Sequence, residues 1–253
     1  MNGPGSAGGA LPGSRAIPTL RPMIPRSPGI LPKAWTAIAA LALALACATE
    51  PAPATGVSRA GSTNAAAEKT LVVLGDSLSA GFGVDPSEAW PARLQERIRQ
   101  EGLPWKVVNA GVSGDTTAGG LRRLDWILRK RLDGLLLELG GNDGLRGLPL
   151  EATRTNLQAV IERTRARHPK ARIVLAGMRM PDNFGEAYTR QFEGLYRELA
   201  QTHRVVLIPF LLEGVGGRPE LNLPDQIHPN AEGHRRVATN VWQVLRPVLA
   251  ETP

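Results

Sequence analysis

The sequence predicts an α/β domain built on a parallel β-sheet, and three observations indicate it. From residue 69 onward, short apolar runs alternate with longer segments whose apolar residues recur at helical spacing. The apolar runs are continuous rather than alternating, which is typical of strands that helices cover on both faces. Polar, glycine-rich segments follow the first three runs, as expected where the strands of such a sheet end at a ligand-binding edge.

Five strands and five helices are predicted in alternating order. The strands are predicted at residues 70–74, 105–110, 134–139, 172–178 and 205–210. The helices are predicted at residues 89–100, 117–131, 151–167, 186–202 and 231–249. Strict alternation favours one layered domain that spans residues 69–253. A domain of this size buries an adequate core without disulfides or a structural metal.

Residues 1–47 are predicted to be a secretory signal peptide and not part of the fold. Basic residues precede an apolar stretch at 34–46, which is shorter than the roughly 20 apolar residues that a membrane-spanning helix needs. A start at Met23 is a second hypothesis for this peptide. Residues 48–68 are rich in Ala, Pro, Thr, Ser and Gly, which predicts a flexible linker. The protein is therefore expected to be exported to the periplasm.

Cys47 is the only cysteine in the chain, and cleavage after an Ala-x-Ala pattern would make it the new N-terminus. It resembles the acylated cysteine of bacterial lipoproteins, although Leu43 lies one residue earlier than the leucine of that pattern. Two hypotheses remain open: Cys47 carries a lipid that tethers the protein to the membrane, or it is a spectator. A single cysteine excludes an intrachain disulfide in either case.

The net charge of +7 at pH 7 overstates the charge of the mature protein. Residues 1–47 contain four basic residues and no acidic residue, so their removal leaves +3 (7 − 4). A basic cluster lies in the second predicted helix, where a solvated helix face is favoured over a phosphate-binding patch. Its members are Arg122, Arg123, Arg129, Lys130 and Arg131. No nucleic-acid-binding motif is visible, so nucleic acid is not an expected partner, and no feature identifies a protein partner.

Ser77, Asp225 and His228 form the set of side chains that nucleophilic catalysis requires. Ser77 lies in a Gly-Asp-Ser-Leu sequence after the first strand, and Asp225 and His228 lie three residues apart before the last helix. A serine hydroxyl becomes a good nucleophile when an imidazole accepts its proton and a carboxylate orients that imidazole. The other histidines are weaker candidates for the base and are expected at the surface or at a helix start. They are His168, His203 and His234.

Four sequence blocks together resemble the SGNH (GDSL) hydrolase family. The blocks are residues 75–81, 109–115, 140–143 and 225–230, and the resemblance covers essentially all of 69–248. It implies a three-layer α/β/α, flavodoxin-like fold with a five-stranded parallel sheet. The strings at 89–92 and 137–147 resemble the branch of periplasmic thioesterase I, arylesterase and lysophospholipase enzymes. The absence of a Gly-x-Ser-x-Gly elbow around Ser77 argues against the α/β-hydrolase fold.

The resemblance implies a role for each matching residue. Ser77 would be the nucleophile, His228 the general base, and Asp225 the carboxylate that orients His228. The backbone N–H groups of Ser77 and Gly114 and the side-chain amide of Asn142 would form the oxyanion hole.

Several neighbouring residues receive other assignments from the same blocks. Gly111 competes with Gly114 as a donor to the oxyanion, although the Ser-Gly-Asp context favours Gly114. Asp76 and Asp115 are expected to support loops or cap a helix. The implied chemistry requires no organic cofactor and no metal.

The residues that contact the acyl group are predicted from the loops after the third and fourth strands. Leu145 lies in a glycine-flanked segment that is expected to form a mobile apolar wall. Met180 and Phe184 are candidate acyl contacts, with ordinary packing as the alternative. Lys130 and Arg146 could attract an anionic head group, with solvated charge as the favoured alternative.

The predicted function is that of a serine esterase or thioesterase that acts on aryl esters, acyl-CoA or lysophospholipids through an acyl-serine intermediate. A carbohydrate O-acetylesterase on the same scaffold is one alternative. A non-catalytic envelope lipoprotein that binds a ligand in the crevice is the other.

Overall fold

Five parallel strands form one sheet in the order β2-β1-β3-β4-β5 in the computed structural model, which describes residues 68–251. The strands are β1 (Lys69–Gly75), β2 (Trp105–Gly111), β3 (Gly134–Glu138), β4 (Arg172–Ala176) and β5 (Val206–Ile208). This is the strand order of a flavodoxin-like sheet, so the predicted fold class is confirmed. The predicted signal peptide, the start at Met23, the lipidation at Cys47 and the linker up to residue 67 lie outside the described residues.

Seven α-helices within residues 68–251 surround the sheet. They are α1 (Ser77–Ala80), α2 (Trp90–Gln100), α3 (Thr117–Ile127), α4 (Gly141–Leu145), α5 (Leu150–Arg167), α6 (Glu186–His203) and α7 (Ala231–Ala250). Helix α2 packs against α7, while α3 and α6 pack against α5. Right-handed crossovers place these two groups on opposite faces of a doubly wound sheet, which gives the three layers.

The core lies on both faces of the sheet because the central strands carry apolar side chains in both directions. Residues 71–74 of β1 and 135–137 of β3 are all buried. Helix α2 presents Trp90, Leu94 and Ile98, which recur at four-residue spacing on one face and are fully buried. Burying one such side chain contributes about 1.5–3 kcal/mol, so the covered strands and the amphipathic helix stabilise each other.

Side-chain caps fix the first turns of three helices at the carboxyl edge of the sheet. Asp76 of α1, Thr116 of α3 and Asn230 of α7 each accept a hydrogen bond from an N–H of the first turn, at 3.0, 3.2 and 3.0 Å. Each cap satisfies a donor that the helix itself leaves unpaired and contributes about 1 kcal/mol. The predicted capping role of Asp76 is confirmed.

The element boundaries differ from the prediction in β4, β5 and α3, and two short helices are additional. Strand β4 ends at Ala176, two residues earlier than predicted. Strand β5 is shorter than the predicted 205–210 because Pro209, which follows it, has no N–H to continue the ladder. Helix α3 ends at Ile127 and not at 131. The short helices α1 and α4, directly after β1 and β3, were not predicted because four or five residues carry too little periodicity to be recognised.

The last residues of three strands meet at the point where the strand order reverses. Gly75 pairs with Gly111 on one side and with Glu138 on the other. The segments that follow β1, β2 and β3 therefore emerge side by side, at the position where sheets of this type bind ligands.

Gly111 packs so closely against the α1 turn that a side chain there is expected to be destabilising. A methyl group at this position would contact three backbone atoms of residues 76–80, two of them at 2.8 and 2.9 Å. Backbone atoms cannot rotate away, so Gly111→Ala is expected to lower the free energy of unfolding by about 1–3 kcal/mol, measured by denaturant titration.

Gly194→Ala is the matched control, because Gly194 lies in α6 and only one side-chain atom, at 4.0 Å, would come near its new methyl group. Alanine is a better helix former than glycine, so this control is expected to be neutral or stabilising by up to about 1 kcal/mol. Equal stabilities of the two variants would contradict the close approach at Gly111.

Candidate active site

Ser77 is the first residue of α1 and lies in the turn that follows β1. The residue is mostly buried, and its Oγ lies 2.9 Å from the Nε2 atom of His228. The side-chain cap of Asp76 holds this turn from one side, because its Oδ1 accepts the N–H of Leu78 at 3.0 Å. The hydroxyl is thereby presented to the imidazole in a fixed direction.

Asp225 lies on the far side of His228 from Ser77. The His228 Nδ1 atom is 2.7 Å from Asp225 Oδ2. Asp225 Oδ1 accepts the N–H groups of Ile227 and His228 at 2.9 and 3.0 Å, and Gln226 between them has a positive φ of 59°. This tight turn explains how a carboxylate three residues before the histidine reaches its ring. The structure brings together the three residues that the sequence analysis selected.

The carboxylate of Asp225 remains ionised over the whole physiological range. Partial burial raises its pKa, but hydrogen bonds from the backbone and ring of His228 and from the backbone of Ile227 together lower the pKa to about 2. An ionised acceptor beside Nδ1 keeps a proton on that nitrogen. The lone pair of Nε2 is then free to accept the proton of Ser77.

Phe82 packs on the imidazole and was missed by the sequence analysis. The ring centroids of Phe82 and His228 are 4.5 Å apart, and 49% of Phe82 is exposed. The phenyl ring therefore shields one face of the imidazole and extends an apolar surface from it into solvent. Its position five residues after Ser77 is the one sequence signal that pointed to it.

Two backbone N–H groups are free at the strand ends where an oxyanion hole is expected. Within residues 68–251, the N–H groups of Ser77 and Gly114 donate to no other residue. The N–H of Gly111, in contrast, donates to Asn109 Oδ1 at 2.9 Å. Gly114 is therefore the better candidate of the two glycines.

The Asn142 amide is the third candidate donor, and its orientation is fixed by Asp76. Asn142 lies in the first turn of α4, and its Nδ2 donates to Asp76 Oδ2 at 3.1 Å. One N–H of the amide is thereby used to hold the group, which leaves the second N–H for a ligand.

Arg123 ties the ends of β1 and β2 together. Its guanidinium donates to the carbonyl oxygens of Gly75 and Ala110 at 2.9 and 2.6 Å and to Asp115 Oδ2 at 2.7 Å. The prediction that Arg123 belongs to a solvated helix face is therefore wrong, whereas the predicted loop support by Asp115 is confirmed. The other four members of the basic cluster are all exposed, as predicted for a solvated helix face.

Arg146 also contacts the candidate site, in addition to being solvated. Its Nη2 donates to the carbonyl oxygen of Gly114 at 2.9 Å. This contact joins the loop after β2 to the end of α4 and fixes the peptide that follows the candidate oxyanion donor.

Comparison with known proteins decides the family. Residues 73–236 match the model of the GDSL-like lipase/acylhydrolase family. The chain belongs to this family. It is 43% identical over 188 residues to esterase TesA of Pseudomonas aeruginosa, covering 74% of this chain and 92% of that protein. It is 39% identical over 186 residues to thioesterase 1/protease 1/lysophospholipase L1 of Escherichia coli strain K12, covering 73% and 87%.

The solved structures agree with the sequence comparison. A crystal structure of TesA is 42% identical in sequence to this chain and superimposes on it with a TM-score of 0.69. The match covers 71% of this chain and 99% of that chain. The resemblance predicted from the four sequence blocks is confirmed, and the chain is an esterase of the acylhydrolase family. The hypothesis of a non-catalytic binding lipoprotein is therefore wrong.

Glu138 is a fully buried carboxyl group of this acylhydrolase that the sequence analysis missed. Its Oε2 accepts the hydroxyl of Ser79 at 2.5 Å and the N–H of Asp76 at 3.2 Å. Burial, and then the nearby charge of Asp76, raise the pKa of Glu138 well above its usual range. A lone glutamate inside a leucine run, residues 135–139, was the available signal.

The predicted acyl contacts are not all accessible in the acylhydrolase. Leu145 and Phe184 are half-buried, and Phe184 stacks near Tyr188 with ring centroids 6.2 Å apart. Met180 is only 4% exposed and packs with its sulfur beneath Gly144. This burial favours the packing alternative for Met180, and its acyl contact stays a prediction.

Exposed apolar side chains flank the site in their place. The largest are Phe82, Val112 and Ile227, which are 49%, 47% and 45% exposed, and Leu148 adds a fourth. All four lie on segments that follow a strand of the site or precede α7, at the same edge of the sheet as Ser77, and we call them the apolar rim.

The remaining histidines serve packing. His234 is buried and accepts the N–H of Trp90 at 3.3 Å, so its ring is engaged away from Ser77. Burial lowers the pKa of His234 to about 4, so the imidazole is neutral at neutral pH. His168 lies 3.1 Å from the carbonyl oxygen of Leu128. Like His203, it is half-buried and not at the surface as predicted.

The described part of the chain contains no cluster of three or more His, Cys, Asp or Glu side chains placed to hold a metal ion. Among the helices of residues 68–251, none combines the length and the apolar character that a membrane span requires.

Proposed function

We propose that this esterase cleaves carboxylic esters and thioesters through an acyl intermediate on Ser77. The observation that carries the proposal is the hydrogen-bonded chain from Ser77 Oγ to His228 and on to Asp225, with distances of 2.9 and 2.7 Å. Ser77 Oγ attacks the carbonyl carbon while His228 Nε2 takes the hydroxyl proton. His228 then donates this proton to the departing alkoxide or thiolate. Asp225 stabilises the imidazolium that forms between the two transfers.

Deacylation repeats the same steps with water as the nucleophile. His228 removes a proton from water, the resulting hydroxide attacks the acyl carbon, and Ser77 departs with the proton that His228 returns. The negative charge of each tetrahedral intermediate is stabilised by the N–H groups of Ser77 and Gly114 and by the second N–H of Asn142.

An Asn142→Ala variant is expected to lose about 10²- to 10³-fold in kcat, because one preorganised donor to the oxyanion is removed. The melting temperature should fall moderately, because the buried Asp76 carboxylate loses one hydrogen-bond donor while the core of the sheet is unchanged. Steady-state hydrolysis of p-nitrophenyl butyrate measures the loss. Asn240→Ala is the control, because that amide donates to the carbonyl oxygen of Glu213, away from the site. Equal activity of the two variants would reject the oxyanion role.

The acyl group is an extended apolar chain or ring. The apolar rim of Phe82, Val112, Leu148 and Ile227 supports this, because exposed apolar side chains at the edge of the sheet that carries Ser77 can contact an apolar acyl group. The relatives named esterase and thioesterase/lysophospholipase support ester and thioester substrates. The same rim disfavours the carbohydrate O-acetylesterase alternative, since an acetylated sugar would leave these side chains exposed.

Hydrolysis of p-nitrophenyl esters from acetate to palmitate, and of palmitoyl-CoA, tests the proposal. Activity that rises from acetate to medium chains and disappears in Ser77→Ala is the expected result. Activity on acetate alone would favour sugar deacetylation, and equal rates for wild type and Ser77→Ala would remove Ser77 from the mechanism. A fluorophosphonate probe that labels the wild type and not Ser77→Ala provides an independent check on the nucleophile.

We also propose that the protein is exported to the periplasm before it acts. Residues 1–47 would be the signal peptide, and Cys47 is the candidate lipid attachment site. Metabolic labelling with palmitate in a bacterial host tests the tether. Label in the wild type that is lost in Cys47→Ser would support it, and a mature protein of unmodified mass would contradict it.

A further inference from the structure

Two carboxyl groups lie next to each other beneath the nucleophile, and the mechanism above uses neither of them chemically. Asp76 precedes Ser77, and Glu138 ends the neighbouring strand β3, paired in register with Gly75. Asp76 is 2% exposed and Glu138 is 0% exposed. The absence of a side chain at Gly75 creates this contact, because a methyl group there would overlap both Ser79 Oγ and Glu138 Oε2.

The pair has no counter-charge in the described part of the chain. No lysine or arginine of residues 68–251 forms an ion pair with either carboxyl. The guanidinium of Arg123, which reaches the same strand end, is directed at Asp115 and at the carbonyl oxygen of Gly75. Two ionised carboxylates in a buried site without a cation are strongly unfavourable, so such a pair retains a proton.

The hydrogen-bond partners indicate which group holds that proton. Both oxygens of Asp76 accept hydrogen bonds, from the N–H of Leu78 and from the amide of Asn142. Glu138 receives both of its donors on Oε2, and its Oε1 has no partner within residues 68–251. An oxygen that no donor reaches is poorly suited to carry buried negative charge.

We propose that Asp76 and Glu138 share a single proton, which Glu138 holds, and that this pair is a positioning device for the oxyanion hole and the nucleophile turn. The ionised Asp76 holds the Asn142 amide, and the neutral Glu138 holds the Ser79 hydroxyl and the Asp76 N–H. The inference rests on the proposed function only where it assigns Asn142 to the oxyanion hole. The protonation state itself is independent of that assignment.

The pKa shifts of both groups agree with the assignment of the proton to Glu138. Burial raises the pKa of Asp76 to about 6, although hydrogen bonds from Leu78 and Asn142 oppose the rise. Burial and the Asp76 charge raise the pKa of Glu138 well above its usual range. The pKa of Asp76 thus lies below neutral pH, and the upward shift of the Glu138 pKa has the direction that a retained proton on Glu138 requires.

Other titratable or charged groups face the pair from every neighbouring element. His228 acts on Asp76 from the loop before α7. Tyr196 of α6 lies near both carboxyls, and Asp143 of α4 lies near Tyr196. Burial, together with these acidic groups, raises the pKa of Tyr196 well above its usual range. Arg123 reaches Gly75 from α3. The Tyr196 hydroxyl donates to the carbonyl oxygen of Leu139 at 2.9 Å and not to either carboxyl.

The ionised form of Asp76 matters because an amide can rotate by 180°. A carboxylate at Asp76 accepts only, so it selects the orientation in which Asn142 turns Nδ2 toward it. Because the pKa of Asp76 is raised to about 6, this acceptor is present above that pH and is lost as the pH falls through it. Part of the decline of kcat on the acid side should therefore come from Asp76, in addition to protonation of the base His228.

Glu138→Gln is the informative variant, because glutamine has the shape and the donors of a protonated glutamate and cannot ionise. We expect its kcat to stay within about threefold of wild type, with an unchanged acid limb of the pH profile. If Glu138 is ionised in the wild type, glutamine removes a charge beside Asp76, and the acid limb must move to lower pH. Such a shift, or a loss as large as that of Glu138→Ala, would overturn the proposal.

Asp76→Asn and Glu138→Ala complete the series. In Asp76→Asn, the new side chain can donate an N–H to the Asn142 amide as well as accept one, so it no longer selects a single orientation of that amide. We therefore expect a loss of about 10- to 10³-fold in kcat. Glu138→Ala leaves the Ser79 hydroxyl and the Asp76 N–H without an acceptor, and we expect a loss of about tenfold or more together with a lower melting temperature. Wild-type kcat in a folded Asp76→Asn variant would remove the positioning role.

An infrared spectrum provides a readout that does not depend on catalysis or on the folding of weakened variants. At pH 8, the carbonyl band of one buried protonated carboxylic acid is expected in the Ser77→Ala protein and is expected to vanish in Ser77→Ala/Glu138→Gln. If no such band disappears, Glu138 is ionised and the proposal fails. Activity that survives Ser77→Ala would instead defeat the proposed function, whereas the band would still report the proton of Glu138.

Discussion

A His228→Ala variant is expected to lose about 10⁶-fold in kcat while it keeps its fold. The imidazole is the only group within hydrogen-bond distance of Ser77 Oγ in the described residues, so no other side chain can accept the proton of the attacking hydroxyl. In the proposed mechanism the imidazole also protonates the leaving group, so we expect both halves of the acyl transfer to fail together. Stopped assays with p-nitrophenyl butyrate, extended over hours, are required to measure the residual rate.

The Ser77→Ala variant and the double variant test whether the two residues act as a unit. Removing either member of such a unit costs about as much as removing both, so all three proteins should retain the same residual rate. Multiplicative losses in the double variant would show that Ser77 and His228 act in separate steps.

His234→Ala is the matched control for the loss of an imidazole. His234 is buried and accepts the N–H of Trp90, so its removal is expected to lower the free energy of unfolding by about 1–3 kcal/mol and to leave kcat close to wild type. A large loss of kcat in folded His234→Ala, with a small loss in His228→Ala, would reverse the assignment of the base.

The sheet and the grouping of the candidate catalytic residues could be predicted from the sequence because each depends on short-range patterns. The five apolar runs are continuous in Val, Leu and Ile, and strands covered on both faces need that composition. Ser77 follows the first run directly, and Asp225 and His228 precede a strongly amphipathic helix. Since parallel strands end at one edge, the order of these motifs was sufficient to bring them together.

The parts that could not be predicted depend on contacts between distant segments. Arg123 belongs by sequence to a basic helix face, but its guanidinium is drawn inward by two carbonyl oxygens at the ends of β1 and β2. Glu138 lies in a leucine run, and only the turn after β1 supplies the donors that make its burial tolerable. Met180 follows a strand that leads to the site, yet the close packing of Gly144 covers it.

An Asp225→Asn variant is expected to lose about 10⁴-fold in kcat, with little change in KM or in melting temperature. The asparagine oxygen can still accept the N–H groups of Ile227 and His228, so the turn that contains Gln226 is retained. Its Nδ2, however, replaces Oδ2 opposite His228 Nδ1, where it donates a hydrogen bond in place of accepting one. The imidazole then adopts the tautomer that carries its proton on Nε2, and this proton faces Ser77 Oγ.

A base that already carries a proton on the nitrogen facing the nucleophile cannot accept another without becoming cationic, and the carboxylate that would stabilise the cation is absent. Asp225→Ala separates this effect from the structural role of the side chain, because it also removes the acceptor of the two turn N–H groups. Both variants should therefore have similarly low kcat, while only Asp225→Ala should lose stability, by about 1–3 kcal/mol. Because the pKa of Asp225 is already lowered to about 2, no wild-type activity between about pH 4 and 9 should be lost through its protonation. If Asp225→Asn retained most of the wild-type kcat, the carboxylate would serve only to hold the turn, and His228 would act without a partner.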